Sequence, residues 1–391
     1  MALTTIQSNN KLIQFRKDII REFVRENMFS PYYGDGVNSI IRNIYDAKKG
    51  GEQINIPLVT KLRNNPKGAV DTLVGYEEAI DNYGMRAWVD WARHAVSTND
   101  AEEQKDSADV FAEAKPLLSD WGKELQRDEM IQAFQAIPSE SAPANLGGAS
   151  GGQRVNGVLW SAADQTALDN WTSHNRDRII FGNDVAHMES DWDFSDSIVK
   201  IEAGTDRATK NSLSLMARMA KLAQPAIRPY KTKDGYEYFV GFCGSLTFRD
   251  IRNSLGSEYQ NAMERGKGNP LFQTGDILYD NVIVREIPQI DLFVNDVWNS
   301  SINGNLLTGG AGGTTRVAPF YLCGQTASSV AWAHMPTPTI RKEDDYQFIK
   351  GVGVKMCYGI AKTFKKTPST NFLRQWGVFT GFFASAADTT A

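Results

Sequence analysis

The chain has 391 residues, with 42 basic against 46 acidic side chains and a net charge of −4. A pI near 5.7 argues against the basic stripe that tight electrostatic binding of nucleic acid needs. At 41% hydrophobic and 23% charged residues it can bury a sizeable core, as two or three domains or one elaborated one.

Three cysteines, Cys243, Cys323 and Cys357, lie far apart. They fit neither a disulfide framework nor a zinc site, and suit core or strand positions in a reducing compartment. The start MALTTIQSNN lacks the charged lead and apolar segment of a secretory signal, and no run approaches the ~18 apolar residues of a membrane span. The expectation is a protein made and kept in a cytosol. Nine tryptophans and nineteen phenylalanines can line a carbohydrate site, but large cores and interfaces use them more often.

Residues 11–26, KLIQFRKDIIREFVRE, have helical periodicity, with Leu12, Phe15, Ile19 and Phe23 on one stripe and Ile13, Ile20 and Val24 beside it. This is either a solvated surface helix or a detachable arm that docks on a neighbour. Residues 48–96 read as extended: one strand carries Ile54 and Ile56 on a face, and another alternates through Met85, Ala87, Val89 and Trp91. The stretch from Arg63 to Tyr83 between them is longer than the loops of compact domains, which run to ~12–15 residues at most. A hairpin resting on another molecule explains it, and so does an enzyme lid. Val70, Leu73, Val74 and Tyr76 are its candidate contact residues.

Residues 99–137 predict one long helix, capped by Asn99 with Glu102 three residues on, reaching about 57 Å and bent or broken at Pro116 or Gly122. SESAPANLGGASGGQRVNG (139–157) is a glycine- and serine-rich loop, and a helix follows near 205–224. IRPYK and YEYFVGF read as strands joined at Asp234-Gly235. A second glycine-rich loop covers 305–316, and the C-terminus reads as strands KGVGVKMCYGIAKTF (350–364) and WGVFTGFFA.

Candidate chemistry is thin. Gly351 and Gly353 begin a dinucleotide fingerprint that fails at Met356, and no Gly-Lys-Ser/Thr triplet exists. His187, Glu189, Asp191, Asp193 and Asp196 cluster like oxygen ligands for a divalent cation, yet no EF-hand or zinc-protease order is present; a solvated acidic loop is expected. Asp120 and Asp128 fall eight apart on the long helix, as charged surface faces routinely do. No serine sits in a nucleophile elbow. Catalytic, metal and cofactor residues are therefore expected to be none.

The order of arm, extended hairpin, long helix, elaborated mixed domain and C-terminal strands resembles the major capsid proteins of tailed bacteriophages. More narrowly, it is similar to the N-four-like phage major capsid family. The pieces that carry the likeness are AIRPYKTKDGYEYFVGF (226–242), MERGKGNPLFQTGDILYDNVIVRE (263–286) and YQFIKGVGVKMCYGIAKTF (346–364). The resemblance implies an α+β Hong Kong 97-type fold. Its divisions would be an N-terminal arm (1–30), an E-loop hairpin (48–90), the spine helix of the P-domain (98–137), an A-domain with insertions (138–340) and C-terminal P-domain strands (341–391).

It also implies a non-enzymatic virion protein without cofactors, whose main partner is itself, in hexamers and pentamers of an icosahedral shell around double-stranded DNA. Portal, scaffolding and decoration proteins are further implied partners. The DNA would be held without sequence-specific binding, and no membrane would be engaged. Its place would be the virion, and the host cytoplasm during assembly. The alternatives are a tail or baseplate component, or a metal-dependent hydrolase using the acidic cluster at 187–196.

Overall fold

A computed structural model describes residues 27–45, 52–62, 64–69, 71–80, 82–106, 110–148, 151–232, 235–264, 277–291, 308–310, 315–341, 346, 348–366 and 372–385. The arm positions Leu12, Phe15, Ile19 and Phe23, and Val70 of the hairpin, lie outside the described residues, as does most of the loop at 305–316.

A helical turn (Ser30–Tyr32) and a two-residue edge strand (Tyr33–Gly34) come first, the strand pairing with β1 (Ile41–Tyr45). The described chain then makes a hairpin of β2 (Gln53–Val59) and β3 (Asn82–Trp88), and runs through β4 (Asp90–Asn99) into α1 (Asp100–Lys105) and α2 (Ala114–Gln135). The middle region carries β5 (Val155–Asn156), α3 (Gln165–His174), β6 (Ile179–Phe181), α4 (Phe194–Val199) and α5 (Lys210–Leu222). It continues with β7 (Glu237–Cys243), α6 (Ser245–Glu264), β8 (Ile277–Tyr279) and β9 (Val282–Glu286). The end is β-structure: β10 (Thr315–Cys323), β11 (Ser328–Ile340), β12 (Ile349–Lys362), β13 (Phe364–Lys366), β14 (Leu373–Gln375) and β15 (Val378–Ala384).

Two sheets organise this α+β fold. The first has the order β1–β11–β12–β4, with β5 beside β12; the second has the order β8–β9–β7–β10–β15–β6. The strand around KGVGVKMCYGIAKTF is therefore central in its sheet, antiparallel to both β11 and β4. Its outer half alternates in burial, while from Met356 to Lys362 every residue is buried, as expected of a strand covered on both faces. Gly359 is required by close approach: a β-carbon there would sit 1.9 Å from the Trp88 carbonyl oxygen. The register shifts of this pair fall on β11, around Trp332 to Thr337, rather than at the glycines of β12.

Three expectations change. The run from Met85 to Trp91 is not one strand: it breaks at Val89, whose N–H bonds to the Glu52 carbonyl (3.0 Å), and β3 and β4 then join different sheets. The long helix is also divided, although Asn99 caps α1 as expected by accepting from the Glu102 N–H (2.8 Å). α1 stops at Asp106, in extended conformation, at a run of Asp and Ser residues that favour caps over helix interiors. α2 then has 22 residues, about 33 Å. Pro116 falls in its first turn, where proline is tolerated, and the helix continues through Gly122 without interruption. Finally, the two C-terminal strands part company: β12 lies in the first sheet and β15 pairs with β10 and β6 in the second.

The main core lies where α2 meets both sheets. Phe29, Phe134, Trp160, Trp171, Phe194, Phe242, Tyr321, Tyr358 and Phe382 are all buried there, which accounts for much of the aromatic content. Edge-on and tilted ring contacts at 5.0–6.4 Å link them, among them Phe29–Phe242 and Trp160–Phe382. All three cysteines are free and buried, in β7, β10 and β12. Among the described residues, no helix is long and apolar enough to cross a membrane.

Candidate assembly interface

The hairpin is anchored at its base. β2 alternates strictly, burying Ile54, Ile56 and Leu58, which stand opposite Ala87, Met85 and Tyr83 of β3. Those side chains pack with Ala331, Cys357, Ala361 and Phe364 in a separate small core on the first sheet. The Phe364 N–H points at the Met85 sulfur, 3.4 Å away.

Beyond Val59 the environment inverts. Leu73, Val74 and Tyr76 are 66%, 79% and 59% exposed, and Leu62 and Ile80 are exposed beside them. The tip is shaped by its own polar groups: Asn64 N–H donates to Glu78 (2.8 Å), Tyr76 N–H to the Leu73 carbonyl (3.0 Å) and Gly75 N–H to Glu77 (2.7 Å). Gly75, at φ +86°, makes the turn, and the Lys67 ammonium lies 3.7 Å from the centre of the Tyr76 ring. Exposed apolar side chains gathered on one shaped tip are the kind of surface that marks interaction sites on other proteins. Three of the four hairpin candidates, Leu73, Val74 and Tyr76, are thus brought together.

A second apolar projection was not foreseen from the sequence. At the far ends of β11 and β12, Ile340, Tyr346 and Phe348 are exposed. This end is tied to α1, where Lys350 on β12 pairs with Asp100 (3.0 Å) and Glu103 (2.9 Å).

Where α2 meets β12 there is a buried polar lock, also unforeseen. Glu129 of α2 accepts from Arg154 (2.7 Å) and from the Tyr358 hydroxyl (2.6 Å) of β12. Burial lifts the Glu129 carboxyl above its ordinary value even with those donors, and pushes the Tyr358 hydroxyl up strongly. Arg154 also donates to the Trp91 and Gly151 carbonyls, while Asp90 accepts from the N–H groups of Gly147 and Gln153. The glycine-rich loop is therefore fastened to both α2 and β4. Neither partner of Glu129 is close in sequence, 25 and 229 positions away, so periodicity carries no trace of the lock.

The acidic stretch at 187–196 has local structural work. Asp193 caps α4 by accepting from Asp196 N–H (2.9 Å), Glu189 pairs with Lys200 (2.5 Å), and Asp191 accepts from Asp193 N–H (3.3 Å). The His187 ring nitrogen meets the Phe181 carbonyl at 3.1 Å. On α2, Asp120 meets Lys123 (3.5 Å) and Asp128 meets Arg127 (2.7 Å). Among the described residues, no group of three or more His, Cys, Asp or Glu side chains is placed to hold a metal ion.

This architecture is the Hong Kong 97-type capsid fold. The chain superposes on the capsid asymmetric unit of cyanophage Pam1 with a TM-score of 0.82, at 27% identity over 99% of this chain and 100% of the other. The capsid of Ralstonia phage GP4 matches at TM-score 0.69 and 16% identity over the full length of both chains. In sequence, the major capsid protein of Pseudomonas phage KPP25 is 24% identical over 352 residues, 86% of this chain and 84% of that one. The family described as phage capsid protein matches residues 3–374, and the chain belongs to it. Its function is that of a major capsid protein, a subunit of the phage shell.

Proposed function

We propose that copies of this chain close into an icosahedral shell of hexamers and pentamers around double-stranded DNA, with the hairpin tip of each copy lying on its neighbour. The observation that carries this is the inversion of burial along one hairpin, buried at its base and apolar yet exposed at its tip. In this reading β2 and β3 are the E-loop, α2 is the spine helix, α2 and the first sheet make the P-domain, and the second sheet with its helices makes the A-domain. Residues 1–30 form the arm. No enzymatic step is needed: closed symmetry and many weak repeated contacts make the container. A net charge of −4 also suits a vessel that must release DNA rather than grip it. The virion, and the host cytoplasm during assembly, are where such a subunit resides.

The test removes the tip. Deleting Asn65 to Asp81 and bridging with Gly-Ser should leave a folded subunit that no longer makes shells in electron micrographs. In the intact chain, amides of the tip should exchange quickly before assembly and slowly afterwards, as local opening there costs little until a neighbour covers it. Equal exchange in both samples refutes the intersubunit contact. Rings or tubes in place of shells would indicate a different virion component.

A further inference from the structure

An apolar groove runs between α2 and the outer halves of β11 and β12, with Leu118 and Gly122 on its helical wall and Pro336, Pro338, Val352 and Val354 on its strand wall. Lys123 and Gln126 border this groove and also a second hollow, the one at which the described chain begins, beside Asn27 and Tyr33. The two hollows thus adjoin at Lys123 and Gln126 of α2, and the described chain begins at one of them.

Gly122 is the telling position. Glycine inside a helix is destabilising relative to alanine, and α2 carries one facing the groove. A β-carbon there would meet nothing within 4 Å among the described residues, so no described neighbour explains the missing side chain. It fits a surface kept low for close approach by something else.

We propose that residues 11–26 of the same chain occupy this groove as an amphipathic helix. The stripe Leu12, Phe15, Ile19 and Phe23 would face Leu118, Val352 and Val354, with the close approach at Gly122. Length agrees: the segment spans about 24 Å as a helix, and the α2 wall from Lys115 to Gln126 spans about 17 Å. Charge agrees at one edge. At helical spacing Glu22 flanks the stripe, and the exposed Lys115 and Lys123 stand on the groove wall. The tether decides between occupants: an arm attached at Asn27, in the hollow adjoining the groove, acts at an effective concentration in about the millimolar range, above that of a second copy in dilute solution.

Two measurements on full-length, unassembled protein test this, so that their failure leaves the shell reading untouched. In the first, Ile19→benzoylphenylalanine is irradiated in an equal mixture of light and heavy-isotope-labelled chains. Cross-links should join position 19 to peptides within 115–126 or 352–356, both ends carrying the same isotope. Mixed-isotope products would place a second copy in the groove, and products elsewhere would place the arm elsewhere; either overturns the proposal. In the second, Gly122→Leu should keep or raise thermal stability, since it improves helix propensity, while filling the groove. Amides of residues 12–24 should then exchange about tenfold faster or more, and unchanged exchange in a folded variant overturns the proposal.

Discussion

The hairpin tip and the segment of β12 around Tyr358 are both rich in apolar and aromatic side chains, yet the chain treats them in opposite ways. At Tyr358 every neighbour is supplied from within: Trp332 beside its ring, Glu129 on its hydroxyl, Arg154 across its face. At the tip, Leu73, Val74 and Tyr76 stand in solvent on a backbone held by its own short hydrogen bonds. The difference separates two tasks. Residues near β12 hold the subunit folded, and residues at the tip, in the function proposed above, hold surface in reserve for a neighbour. Substitutions should therefore sort cleanly, with stability falling in the first region and assembly alone falling in the second.

The sharpest contrast comes from breaking the lock. Arg154→Met should strand Glu129 and cost about 3–5 kcal/mol in denaturant unfolding, because a buried charge loses its main partner. A loss below about 1 kcal/mol would put this network in the same class as surface pairs and erase the contrast.

A smaller effect, of opposite sign, is expected at Lys362. It is fully buried against Trp160 and Trp171, its ammonium 5.5 and 5.6 Å from their ring centres, and the Gln375 amide oxygen, when turned inward, lies 3.2 Å away. Burial pushes its pKa down to about 7. Between pH 7 and the ordinary lysine value the unfolded chain holds a proton that the folded chain has released, so this group's contribution to stability rises with pH across that window. Below pH 7 the folded protein carries the buried charge and its cost is fully present. Lys362→Met should thus stabilise by about 2 kcal/mol at pH 6 and by less at pH 9. A stability gain independent of pH would show that Lys362 titrates normally.

The smallest effect on stability belongs to the tip. Leu73→Asp with Val74→Asp should change unfolding free energy by no more than about 0.5 kcal/mol, while shell yield in electron micrographs falls sharply. Destabilisation well beyond that figure would mean the tip has partners in its own chain.

The two regions also differed in how far they could be read in advance. The hairpin base was legible because Ile54 and Ile56 alternate with polar residues, and the strand at 350–364 because Val352, Val354 and Met356 do the same. The apolar tip was legible as an anomaly of length. The division of the long helix was not, since the helix formers Glu102 to Lys105 lead toward the apolar repeat that starts at Val110, and only the local competition of Asp and Ser side chains ends α1. Glu129 looks in sequence like any charge on a helix surface, and only the fold brings Arg154 and Tyr358 to it. Ile340, Tyr346 and Phe348 read as ordinary strand residues until the sheet places them at its far end.

The central position of β12 has a mechanical consequence. It is about 46 Å long. It is bonded to β4 from Ile349 opposite Asn99 to Tyr358 opposite Asp90, and to β11 along its other edge. A tension applied along these strands, such as a wall feels when its contents push outward, loads the rungs of both ladders together in shear. Bonds that share a load in parallel fail only as a group, whereas bonds peeled from one end fail singly. A subunit strung along this strand should therefore stretch little and rupture late, with its strongest direction lying along β12.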